Sequence, residues 1–457
     1  MNGRASGGFA LRAGTAFAVA VFALAAGAHP VAASSPDFGT PSAASTFGTG
    51  IDFSQSYSGP TFKTAEISLT LPGAIAPLIV QLPATSAPLT YTLDATEGQL
   101  LPNMKISAVF DVTLANGTVE TGPPVSVTYA DTGHNWQTIA AGIVTIHYYS
   151  GGSSFAQQLA SIAQQGLAKS ASFLGGTETA PIDFFVYGDQ QSFLNAMGPA
   201  TGDSVGGQAE PPFRTCYAQI NAGDLTYARS VIPHELTHVV FADVIHNPYH
   251  EPLNWLNEGM AVYLSDGYAS DNRQRVAQAA ANGTLMPLAA LTGAFPRITD
   301  RFYLAYAEAV SAVDFLVRTY GQAAIVKLLR AYKTGVTDDE AFKVGIGIDT
   351  VGFDKAWLAA NGVKAYESFG PQPAPSGPLP PGWGSSSGGS GSTPTGSGIA
   401  GAATPAPAGS SQPASTPGTK RNPTLEAFGV AGVLSSIALV LLVVGFIIHR
   451  KSQGGAP

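Results

Sequence analysis

An α+β architecture in two folded pieces is what this sequence predicts, and three observations predict it. Residues 47–132 alternate polar and apolar with period two. Residues 136–368 mix buried strands with amphipathic helices. Both pieces are bracketed by segments whose composition cannot form a domain. The bulk properties narrow the classes further. Only 11% of the 457 residues are charged, and the net charge is −8, which excludes a basic nucleic-acid binder and a charged disordered chain. One cysteine excludes a disulfide framework, so an apolar core or a metal must hold the folded part.

Residues 1–33 read as a secretory signal. Arg4 and Arg12 form a basic n-region, residues 13–28 an uncharged apolar stretch, and Val31-Ala32-Ala33 a small-x-small cleavage site. Residues 47–132 read as a small antiparallel β-sandwich, Ig-like in the loose sense. Residues 65–71, 105–114 and 125–129 alternate as strands, and Asn116-Gly117 reads as a hairpin turn as well as part of a glycosylation sequon. This piece contains no catalytic cluster, and its partner is open.

The pattern then changes. Residues 142–149 (GIVTIHYY), 181–187 (PIDFFVY) and 215–220 (TCYAQI) read as strands, residues 155–173 as a helix, and the stretch from Thr226 to about Asn361 as mostly helical. Beyond it, residues 370–423 are a Pro/Gly/Ser-rich stalk that cannot bury enough surface to fold. Residues 427–448 run without a charge and end in His449-Arg450-Lys451. At about 1.5 Å per residue they cross a bilayer core of about 30 Å, and the basic end marks the cytoplasmic side. The expected plan is a single-pass type I membrane protein with its folded head outside the cell, on a bacterial surface.

Chemistry is concentrated in His234-Glu235-Leu236-Thr237-His238. With 8 His and 12 Glu in the chain, chance would supply such an HExxH match only about 0.004 times. On a helix the two histidines lie one turn apart on one face, where both imidazoles can reach one ion. Ser230 reads as the cap of that helix, with Pro233 in its first turn. A catalytic zinc site usually needs a third protein ligand. Glu258, 20 residues after His238 in Trp255-Leu-Asn-Glu258-Gly259-Met-Ala261, is the best candidate. The loop 247–253, with two prolines, turns the chain back, and Gly259 lets the backbone pack closely beside the ligand.

HELTHVVF followed by WLNEGMAVYLS resembles the gluzincin metallopeptidases, specifically the peptidase MA-like group, over about residues 136–364. The resemblance implies a zincin fold with an active-site cleft beside an edge strand, for which 215–220 is the candidate. It implies one zinc ion per chain held by His234, His238 and Glu258, Glu235 as general base, and a peptide or protein as substrate. The implied chemistry is hydrolysis by zinc-activated water. The group often supplies an oxyanion donor from a tyrosine on a later helix, where Tyr306 matches better than Tyr303. Two family features are missing. The aminopeptidase branch has a Gly-x-Met-Glu-Asn motif, of which Gly207-Gln-Ala-Glu210-Pro211 keeps only the Gly and Glu. A thermolysin-like carboxylate four residues after Glu258 is replaced by Val262, which leaves the orienting partner of the histidines open, Asp266 included. His134, His147, His246, His250 and Cys216 read as structural or loop residues, and Asn282-Gly-Thr284 as a helix end. The alternative to a peptidase is a catalytically silent zincin that serves as a surface binding or adhesion module.

Overall fold

The computed structural model describes residues 36–366 apart from 84–85, 97–99, 200, 202–204 and 248. The expected signal, the stalk and the apolar run 427–448 lie outside the described residues. Among those described, no helix is long and apolar enough to cross a membrane.

The N-terminal region is built from ten strands: β1 (Asp37–Phe38), β2 (Ser42–Thr46), β3 (Gly50–Gln55), β4 (Tyr57–Ser58), β5 (Phe62–Thr70), β6 (Leu78–Leu82), β7 (Leu89–Asp94), β8 (Met104–Leu114), β9 (Val119–Thr121) and β10 (Val125–Tyr129). It starts ahead of Phe47, because β1 and β2 are polar, two- and five-residue strands with no alternation to betray them. One antiparallel sheet runs β10-β8-β5-β6, with β9 on β8; a second runs β2-β3-β7. Alternation does the sorting. Along β8, Met104, Ile106, Ala108, Phe110, Val112 and Leu114 are buried, and they share one core with Ile51 and Phe53 of β3 and Leu93 of β7. Asn116-Gly117 does form the β8–β9 turn: Gly117 takes φ 87°, and Leu114 N–H donates to Thr118 O at 2.8 Å.

The second region carries a five-stranded sheet, with β11 (Gln137–Ala141), β12 (Val144–Tyr148), β13 (Ile182–Tyr187), β14 (Gly207–Glu210) and β15 (Thr215–Gln219) in the order β11-β12-β13-β15-β14. β12, β13 and β15 are parallel; β14 is antiparallel to β15 and forms the edge. Residues 215–220 are therefore not the edge strand. The edge is the four-residue Gly-Gln-Ala-Glu stretch, too short and too glycine-bearing to show as a strand in the pattern.

Helices α1 (Gly152–Leu174) and α3 (Leu225–Ile245) share the main core with the sheet; on its other face Phe185, Tyr187 and Tyr217 meet α2 (Gln190–Met197) and Phe47 and Leu101 of the N-terminal region. Polar bonds fix that junction: Tyr187 O–H donates to Asp131 (2.9 Å), and Asn103 Nδ2 donates to Asp183 and Thr215 (3.1 Å each). The remaining helices are α4 (Asn254–Ser265), α5 (Ser270–Ala281), α6 (Thr299–Tyr332, interrupted at Gly321), α7 (Asp338–Ile346) and α8 (Thr350–Ala360).

α3 begins earlier than Ser230. Asp224 caps it by accepting from Tyr227 N–H at 3.0 Å, so Pro233 lies well inside the helix. An interior proline removes one helix bond and crowds the preceding turn. Here it faces Gly166 of α1, where an added Cβ would lie 2.9 Å from Pro233 Cβ, so the two helices touch backbone to ring. Beside this contact Thr237 Oγ1 donates to Pro233 O, and it shares a hydrogen bond with Ser170 Oγ (2.7 Å each). These bonds stitch α1 to α3 at the level of the HExxH segment.

Glu308 of α6 is fully buried, with Oε1 accepting from Met286 N–H at 2.9 Å. Burial pushes its carboxyl from 4.5 up to about 8, the Met286 bond opposing and the Asp354 charge adding. The folded chain holds a proton there that the unfolded chain releases. The stability this confers is complete below about pH 4.5 and is lost as pH rises through about 8. Melting of the metal-free chain should therefore occur at a lower temperature at pH 8.5 than at pH 5.5, and Glu308→Gln should narrow that gap. An unchanged gap in the variant would assign the pH dependence elsewhere.

Candidate metal centre

The centre forms where α3 crosses α4 antiparallel. One stripe of α3 carries Ser230, His234 and His238, and one stripe of α4 carries Glu258, Val262 and Asp266, each spaced four residues apart. At the outer end Ser230 Oγ donates to Asp266 at 2.6 Å. At the inner end both imidazoles face Glu258. His234 Nε2 lies 3.5 Å from Glu258 Oε2 and His238 Nε2 lies 3.7 Å from the same atom. All three ligand atoms fall within 4.8 Å of one another, the one such group among the described residues. A tetrahedral ion with bonds of about 2.0–2.1 Å needs ligand atoms about 3.3–3.4 Å apart, so the two imidazole–carboxylate distances fit zinc with little adjustment. The chemistry fits as well: His234 Nε2, His238 Nε2 and Glu258 Oε2 are buried without a hydrogen-bond partner, a state that a bound cation relieves.

Protonation is set by burial. Desolvation pulls His234 down to about 4, with the Asp266 charge opposing, and pulls His238 down too. Both rings are neutral at pH 7, as metal ligation requires. Glu258 is pushed up to about 7 by burial, against the charge of His238 and a hydrogen bond from Tyr306. Glu235, also fully buried, is raised well above 4.5 by burial and then by the Glu258 charge. Neither oxygen of its carboxylate has a hydrogen-bond partner.

Each flanking element has a visible reason to be there. β14 passes directly over Glu235: a Cβ on Gly207 would sit 2.4 Å from Glu235 Oε1, so only glycine leaves room. Cys216, fully buried on β15, donates its thiol to Glu235 O at 3.7 Å from beneath and is a packing residue. Gly259 admits α6 more than it serves the ligand: a Cβ there would lie 2.5 Å from Ala309 O. That close approach brings Tyr306, 2% exposed, to Glu258, while Tyr303 turns toward α5, where Arg275 lies 5.7 Å above its ring.

The orienting partner of His238 is Asn257, whose Oδ1 lies 2.9 Å from Nδ1. A proton on Nδ1 in this bond leaves the Nε2 lone pair for the ion. Sequence reasoning missed Asn257, although its place immediately before Glu258 in the same segment was a usable signal. For His234 no such partner is found among the described residues: Nδ1 is buried and unbonded, and Asp266 is engaged by Ser230.

The other weighed residues lie apart from the centre. Glu210, at the end of β14, accepts from Gln208 Nε2 at 2.7 Å, and burial raises it to about 7, with the Glu251 charge adding. His147 pairs with Asp183 at 2.6 Å, and His134 stacks on Tyr149 at 3.9 Å. His250 contacts Glu251 O and Val336 O, His246 follows the last residue of α3, and Asn282 ends α5.

Residues 162–362 match the Peptidase MA superfamily model. Among solved structures, the chain is similar to an aminopeptidase N family protein from Idiomarina loihiensis, with 14% identity, 70% of this chain and 75% of that chain covered, and a TM-score of 0.37. It is similar to an M1 zinc metallopeptidase from Deinococcus radiodurans, with 12% identity, 75% and 97% covered, and a TM-score of 0.33. It also matches OgpA from Akkermansia muciniphila, crystallised as an inactive form with an O-glycopeptide, at 20% identity and a TM-score of 0.17. That match covers 21% of this chain and only 29% of OgpA. No curated protein matches the sequence.

Removing the Asn257 acceptor should loosen the metal without removing a ligand. Asn257→Leu is expected to bind zinc about 10–100-fold more weakly, measured by competition with a chelator of known affinity. Equal affinity in variant and parent would show that this bond does not orient the ring.

Proposed function

We propose that the chain, whose residues 162–362 match the Peptidase MA superfamily model, is a zinc metallopeptidase of the gluzincin type that hydrolyses peptide bonds. One observation carries this reading. Three buried, unpartnered ligand atoms lie within 4.8 Å of one another, and an equally buried, unpartnered Glu235 lies beside them.

His234, His238 and Glu258 would hold the ion. When bound there, zinc supplies a Lewis acid for water and for the scissile carbonyl. The chain's own groups do the rest. Glu235 accepts a proton from the attacking water at its carboxylate and delivers it to the departing amine. In the metal-free centre burial raises this carboxyl well above the ordinary carboxylate range, with the Glu258 charge adding. The edge strand β14 offers free backbone groups to an extended peptide above Glu235. Tyr306 steadies Glu258 and is the hydroxyl proposed to stabilise the developing oxyanion. Asn257 keeps His238 in the ligating tautomer.

The reading extends to location. The apolar run 427–448 followed by Arg450 and Lys451, with the signal-like residues 1–33, supports a type I anchor that holds the peptidase outside a bacterial cell on the stalk 370–423. The Ig-like description of the N-terminal sheets belongs to the same proposal. A catalytically silent adhesion module is the weaker alternative. Such a module would carry the cost of a buried, unpaired Glu235 with no use for it.

Glu235→Gln separates the two. The variant should keep one zinc per chain by metal analysis and cleave unstructured protein about 10²–10⁴-fold more slowly than the parent. Undiminished cleavage would remove Glu235 from the mechanism; no cleavage by the zinc-loaded parent would favour the binding module.

A further inference from the structure

Glu235, His234, His238 and Glu258 are each at most 1% exposed, so in this conformation a peptide cannot reach them. Some covering element must move, and the candidates differ in how firmly they are held. β14 is hydrogen-bonded along β15. Helices α3, α4 and α6 are the core itself. The segment joining the 3₁₀ turn Leu288–Leu291 to α6 is different. At one end Thr292 O accepts from Asn254 N–H at 2.9 Å, at the start of α4; at the other, Ile298 O accepts from Phe302 N–H at 2.8 Å, at the start of α6. Between those two points, residues 293–297 make no hydrogen bond among the described residues.

The side chains tell the same story. Residues 292–294 and 297–301 are exposed, Pro296 is half-buried, and Phe295 alone is buried. Its ring packs edge-on against Tyr306, with centroids 4.9 Å apart at 85°. Phe302 closes on Tyr306 at 5.1 Å and 64°. Tyr306 in turn bonds Glu258. One ring thus ties the loop to Tyr306, the side chain that bonds Glu258. Gly293, with open space around it, supplies a pivot.

We propose that residues 293–297 are a gate latched by the Phe295 ring, and that the aromatic box it vacates, walled by Tyr306 and Phe302, receives an apolar side chain of the substrate beside the scissile bond. The proposal rests on the metallopeptidase reading and deepens it by naming the side chain the site accepts. Burial of one phenylalanine favours the closed state by a factor on the order of 10–100, so the open form is populated at the per cent level, within reach of turnover. Gating loops of this kind are ordinarily drawn from weakly bonded segments.

The test uses the full chain loaded with zinc and follows zinc loss to excess EDTA, a readout independent of activity. Phe295→Ala should start with the parent's zinc content and lose it roughly tenfold faster. Phe302→Ala, on α6 and outside the loop, should not speed it comparably. A hydroxamate carrying a phenylalanyl side chain should bind the parent at least tenfold more tightly than its alanyl counterpart, and Phe302→Ala should shrink that ratio. Zinc release at the parental rate from Phe295→Ala overturns the gate, and equal hydroxamate affinities overturn the box. Should Phe295→Ala fail to load zinc, Phe295→Leu keeps the comparison, with the same expected direction and the same overturning result. A parent chain that takes up no zinc at all defeats the metallopeptidase reading instead, a distinct outcome.

Discussion

Two imidazoles and a carboxylate buried together between α3 and α4 are the constraint to which the surrounding structure answers. Groups of this kind are costly to bury, and they stay buried only where the packing around them leaves no alternative. The packing is correspondingly tight. Gly166 lets α1 press on Pro233 one residue before His234, and Gly259 lets α6 press on α4 one residue after Glu258. Gly207 lets β14 cross Glu235. A methyl group at any of the three would meet an atom at under 3 Å. Three glycines far apart in sequence therefore serve one volume of a few side chains.

Much of the centre was legible in the sequence because its rules are local. His234 and His238 share a face by helical period alone, and Glu258 follows within reach of one turn-back, so the ligand set needs no knowledge of the sheet. What escaped depends on packing between elements. Asn257 becomes an orienting group only when α4 lies against α3. The edge strand escaped because Gly207–Glu210 is four residues long and owes its extended form to β15 rather than to its own pattern. The start of α3 escaped because Ser230, a good cap by type, spends its hydroxyl on Asp266, while Asp224 does the capping. In the N-terminal region strands β5, β8 and β10 showed their alternation, whereas β1 and β4, two residues each, had none to show.

Charge balance explains why the centre suits a dication rather than a structural hydrogen-bond network. Both histidines are driven neutral by burial, so they bring no charge to the site. Glu235 and Glu258 each have their carboxyls raised by desolvation, and the charge of Glu258 adds to the rise at Glu235. Left alone, the two acids cannot both ionise cheaply in so dry a space. A divalent ion ligated by Glu258 and the two rings removes that obstacle. Such an ion would be paired by Glu258 and would offset the field that opposes ionisation of Glu235, the state in which a carboxylate can accept a proton. The same dryness that makes the metal-free centre unfavourable strengthens every charge interaction once the ion is in place. Burial, neutral imidazoles and a second glutamate beside the candidate ligands are thus one arrangement, in which ionisation of Glu235 would depend on a cation at Glu258.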